Sequence, residues 1–89
     1  MEMTMEKEIK EAMKERKILI GSKRVLKNIK LNTLKTVIYA SNCSEEMVNE
    51  LNFQSKNLGF ETKSFKGSSR ELGEICGKPF NVLLLGLRK

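Results

Sequence analysis

The sequence predicts an α/β domain with helices on both sides of a mainly parallel or mixed sheet. Three observations carry that prediction. Apolar, β-branched runs alternate along the chain with stretches of helical periodicity. The glycines and the single proline, Pro79, mostly fall between these runs and punctuate them. The run from Phe80 to Leu87 is nearly all apolar, the pattern of a central strand covered on both faces. A chain of 89 residues holds one domain, 1–89.

Each element has its own local reason. Thr4 to Arg16 reads as a helix, with Met5, Ile9, Ala12 and Met13 at helical spacing. Lys17 to Ile20 is a short strand stopped by Gly21. Ser22 is placed to cap a second helix that runs to about Lys30, with Val25, Leu26 and Ile29 inward. Leu34 to Ala40 is β-branched and apolar enough for a buried strand. After the polar turn Ser41-Asn42-Cys43-Ser44, Ser44 caps a third helix whose first turn carries Glu45 and Glu46. Met47, Val48, Leu51 and Leu58 form its stripe, and Gly59 ends it. Glu61 to Phe65 alternates as a strand does. Ser68-Ser69-Arg70-Glu71 is a capping box for a short fourth helix ending near Cys76-Gly77. Phe80 to Leu87 is the last strand.

Composition narrows the function. Seventeen basic and 11 acidic residues give a net charge of +6, which suits a nucleic acid or another anionic partner. The longest apolar run, Val82 to Leu85, is too short to cross a bilayer, and Met1 to Arg16 has no signal-peptide core, so no membrane partner and an intracellular location are expected. Cys43 and Cys76 match no zinc or redox spacing and read as small core residues. There is no histidine, no GxxxxGK[ST] and no GxGxxG. Nucleophile, base and orienting group are missing together, so the reading is a binding protein with no catalytic residues, metal, cofactor or small-molecule substrate.

The candidate site lies in three turns. Gly21-Ser22-Lys23-Arg24 puts two cations beside helix-start amides, where acidic residues are usual, and Lys27 lies one turn beyond Lys23. A phosphate at those amides would offset the repulsion; an ordinary solvated turn explains the pattern equally well. Asn42 follows the central strand and suits either a base edge or a turn backbone. Gly77-Lys78-Pro79-Phe80-Asn81-Val82 leads into the last strand, where Phe80 either stacks on an unpaired base or packs inward. Arg70 offers a phosphate contact or a solvated charge.

Taken together, Gly21-Ser22-Lys23-Arg24-Val25-Leu26-Lys27, Ala40-Ser41-Asn42, Gly67-Ser68-Ser69-Arg70-Glu71-Leu72-Gly73 and Gly77-Lys78-Pro79-Phe80-Asn81-Val82 resemble the ribosomal L-thirty-e family, within the L-seven-Ae superfamily of kink-turn binders. The resemblance runs from about Ile9 to Leu87. It implies a three-layer α/β/α sandwich with a mixed, about four-stranded sheet. It also implies a structural role in the large ribosomal subunit in the cytoplasm, bound to a ribosomal RNA kink-turn beside neighbouring subunit proteins. In the family the glycine turn approaches the tandem G·A pairs, which carries over to Gly21, Ser22, Lys23 and Lys27. The asparagine after the central strand matches Asn42. The loop on the extruded nucleotides matches Pro79, Phe80 and Val82, with Gly77 and Lys78 in support. Other branches resemble Gly-Ala-Asn-Glu-Val-Thr-Lys at the first turn, and some relatives carry an arginine where this chain has Met47. Two alternatives stay open: a kink-turn protein outside the ribosome, or a protein–protein adaptor using Glu45, Glu46 and Glu50.

Overall fold

The computed structural model describes residues 5–89, so the expected helix start at Thr4 lies outside the described residues. Eight elements follow in order: α1 (Met5–Lys14), β1 (Ile18–Ile20), α2 (Ser22–Lys30), β2 (Leu34–Tyr39), α3 (Glu45–Leu58), β3 (Glu61–Ser64), α4 (Ser69–Ile75) and β4 (Leu84–Arg88). The strands form one sheet in the order β1-β4-β2-β3. Strand β4 is antiparallel to both β1 and β2, while β2 and β3 are parallel. The sheet is therefore mixed, and β4 is internal as its apolar sequence requires.

Helices cover both faces and make three layers. On one face Ile9 of α1, Leu72 of α4 and Cys76 just past its end pack with Ile38, Leu85 and Leu87. On the other, Val25 and Ile29 of α2 and Leu51 of α3 pack with Leu34, Val37 and Leu84. Removing such apolar area from water is the main stabilising term.

The local signals work where they are local. Ser44 accepts a hydrogen bond from the amide of Met47 at 3.2 Å, and Ser68 accepts one from Glu71 at 3.4 Å. Gly59 closes α3 in the left-handed region at φ 77°. Three expectations need correction. Ser22 does not cap α2: Gly21 holds that position at φ 111°, and Ser22 is already the first helical residue. Leu58 is 38% exposed, because Phe60, just past the helix, fills the buried position at that end. The last strand begins at Leu84, not at Phe80. The amide of Val82 donates to the carbonyl of Ser69 at 2.9 Å, so residues 80–83 are a loop held against α4. Apolar character there signalled burial, and the burial is against a helix.

The topology decides where function can sit. The ends of β1, β2 and β3 and the beginning of β4 all meet at one end of the sheet. Every turn singled out in the sequence emerges there.

Candidate nucleic-acid interface

A ladder of backbone hydrogen bonds ties the turns together. The amide of Gly21 donates to Leu84 at 3.2 Å, that of Ala40 to Leu83 at 3.0 Å, and that of Val82 to Ser69 at 2.9 Å. The loop before β4 is thus pinned in turn to the starts of α2 and of α4 and to the end of β2. Gly21 turns the strand into the helix at φ 111°, a backbone region that L side chains rarely adopt.

Helix α2 then presents Lys23, Arg24 and Lys27 to solvent, with no acidic residue in its first turn. Among the described residues none of the three forms an ion pair. Ser22 is half-buried beside them. Lys23 and Arg24 lie beside the helix-start amides, and Lys27 follows in the last turn, an arrangement whose charge and donors suit a phosphate.

Asn42 has a definite partner. Its Oδ1 accepts from the amide of Ser69 at 2.8 Å, and its Nδ2 donates to the Ser69 hydroxyl at 3.0 Å. The side chain is exposed yet clamps the β2–α3 turn to the first residue of α4. One N–H of its amide is left for a ligand. Ser69 could not be recognised as that partner from sequence, since 27 residues separate the two.

The loop 77–82 is built on close backbone contact. A Cβ on Gly73 would overlap the carbonyl oxygen of Phe80, so α4 and the loop meet only because residue 73 is glycine. Gly77 takes φ 67°, and the amide of Lys78 returns to the carbonyl of Gly73 at 3.0 Å. Held this way, the loop points Lys78, Pro79 and Phe80 outward, and Phe80 is 55% exposed. The direction of Phe80, open in the sequence, is resolved: it faces solvent. Val82 goes the other way. It is 1% exposed in the core with Leu72, so its side chain anchors the loop and offers no surface to a ligand.

Phe80 and Lys78 form the centre of the surface. On one side they share a groove with Arg24. On the other they share one with Arg70 and Pro79. Arg70 is weakly paired with Glu74 at 3.7 Å, both side chains largely in water, so the pair adds little stability and yields readily to a stronger anion. The arrangement offers an exposed ring between cations on a rigid loop, a surface suited to an unpaired base and its phosphates. Burial pushes both Cys43 and Cys76 above the ordinary thiol value, and among the described residues no cluster of histidine, cysteine or carboxylates could hold a metal ion.

Comparisons with known proteins place the chain in a family. The Large ribosomal subunit protein eL30 of Saccharolobus solfataricus is 33% identical over 86 residues, covering 97% of this chain and 80% of that one. Its counterpart in Methanothermobacter thermautotrophicus is 34% identical over 80 residues, covering 90% and 82%. Among solved structures, the Giardia lamblia 15.5kD RNA binding protein superposes with a TM-score of 0.78 at 22% identity, over 91% of this chain and 68% of that one, a likeness of fold. The profile of one family spans residues 3–89, and with it the chain belongs to the Ribosomal protein L7Ae/L30e/S12e/Gadd45 family.

Proposed function

We propose that this protein is an RNA-binding constituent of the large ribosomal subunit, in the cytoplasm, and that it recognises a kink-turn. The observation that carries the reading is Phe80: an exposed ring on a loop bound to α4, set between Arg24, Lys78 and Arg70. The eL30 relatives support the ribosomal half of the reading. No catalytic step is involved; the chemistry is binding.

Recognition is by shape. The major groove of A-form RNA is too narrow to read, so a protein distinguishes bends, bulges and flipped bases. The amides and cations at Gly21–Lys27 meet backbone phosphates and fix register. Phe80 stacks on a base that only a kinked RNA extrudes, while Asn42, clamped on Ser69, offers its remaining N–H to the RNA. An RNA that exchanges between straight and kinked forms is thereby shifted toward the kinked one, because only that form makes the stacking contact.

The test is titration against a kink-turn RNA and against a paired duplex of equal length, at two salt concentrations. Preference for the kink-turn that persists at the higher salt is expected. Equal, steeply salt-dependent binding to both would reduce the site to non-specific attraction by the +6 charge. Co-sedimentation with large subunits tests the ribosomal assignment separately.

A further inference from the structure

The groove shared by Arg24, Lys78 and Phe80 extends past the surface described so far. It continues to the end of α1, where Met13 and Arg16 line it, and its floor is Ile18 and Ile20 of the edge strand β1. Its volume is about 590 Å³, within the range of sites for small organic ligands. Met13, Ile18 and Ile20 are each only half-buried, so apolar surface lies open beneath the three cations.

Two independent features mark this groove as built for an anion with a flat apolar part. First, Arg16, Arg24 and Lys78 are its only charged lining residues, and among the described residues none of them forms an ion pair. Like charges gathered without a counter-charge favour an anionic partner. Second, Arg16 closes α1 at φ 57°, its amide bonded to Met13 at 3.2 Å and that of Lys17 to Ala12 at 2.9 Å. This is the helix-ending turn in which glycine is the favoured residue. An arginine is kept there against backbone preference, and a local rule broken in that way points to function.

We propose that this groove binds a single-stranded segment of the RNA flanking the kink-turn. A base lies on Met13, Ile18 and Ile20 with Phe80 at the rim, and its phosphates meet Arg16, Arg24 and Lys78. The proposal rests on the RNA-binding reading above and extends it to residues outside the Gly21–Lys27 turn.

The test uses pentauridylate as probe and the full chain labelled at its methionine methyls. Pentauridylate is expected to shift the Met13 methyl resonance. A kink-turn RNA with a five-uridine tail is expected to bind more tightly than the blunt one, on the order of tenfold. Arg16→Gly removes the cation and relieves the backbone, so the fold is retained. It is expected to abolish the advantage of the tail and leave the blunt affinity unchanged. An unmoved Met13 methyl, or a tail that adds nothing, overturns the proposal. So does an equal loss for blunt and tailed RNA, which would make Arg16 part of a diffuse charge. If the blunt kink-turn binds no better than duplex, the functional reading falls, while the pentauridylate shift at Met13 still decides the groove by itself.

Discussion

Two clefts of the molecule use the same residue types to opposite effect. At the end where β1 starts and β4 finishes, Glu8, Glu11 and Glu15 of α1 share a cleft with Lys17, Lys35, Lys63 and Arg88. Lys63 there bonds Glu8 at 3.2 Å. Along the outer side of β1, Arg16, Arg24 and Lys78 share a groove with no carboxylate. The first cleft mixes both signs of charge and forms one ion pair, whereas the second gathers cations that form no ion pair among the described residues. Net charge alone does not locate a ligand; the absence of local counter-charge does.

That contrast can be broken or sharpened by substitution. The largest effect is expected from Gly73→Ala. Its Cβ would strike the Phe80 carbonyl, which is backbone and cannot swing aside, so the loop must move. Overpacking of this kind costs about 1–3 kcal/mol, and thermal unfolding should show that loss together with loss of RNA affinity. Phe80→Ala comes next. With the ring 55% exposed, the melting temperature should hold, while kink-turn affinity falls by about 1–3 kcal/mol, the usual worth of one base stacked on an aromatic ring. Unchanged affinity would remove Phe80 from the interface. Lys23→Ala should weaken binding to kink-turn and duplex alike and lower the salt slope by about 1. A slope equal to that of the unmodified protein would show that Lys23 touches no phosphate. The smallest effect belongs to the mixed-charge cleft: Glu8→Gln breaks a part-exposed pair and should cost at most about 1 kcal/mol, with RNA affinity unaltered. A large change in RNA binding from Glu8→Gln would mean that both clefts face the RNA, and the contrast would be lost.

The elements differ in how far they could be read in advance. The caps at Ser44 and Ser68 and the stop at Gly59 were legible because each depends on residues within one helical turn. Ser22 misled because a serine before an apolar periodic run looks the same whether it caps the helix or begins it; the φ of Gly21 decides. The run 80–87 misled for a different reason. Hydrophobicity reports burial, and Val82 is buried, but against α4 and not within the sheet.

The candidate site divides in the same way. Lys23, Arg24 and Lys27 could be placed on one helix from spacing alone, and all three are exposed, Lys23 and Arg24 in the first turn and Lys27 in the last. The outward turn of Phe80, the inward turn of Val82 and the clamp of Asn42 on Ser69 could not. By itself, then, the sequence determined the α/β class, the helix ends governed by nearby residues, and the clustering of positive charge at the turns. Only the tertiary structure decided which charges lack a partner, which aromatic faces solvent, and why Gly73 must have no side chain. The physical reason is range. Helix caps and periodicity act over three or four residues, whereas a side chain's exposure and its counter-charges are set by segments that meet only when the chain has folded.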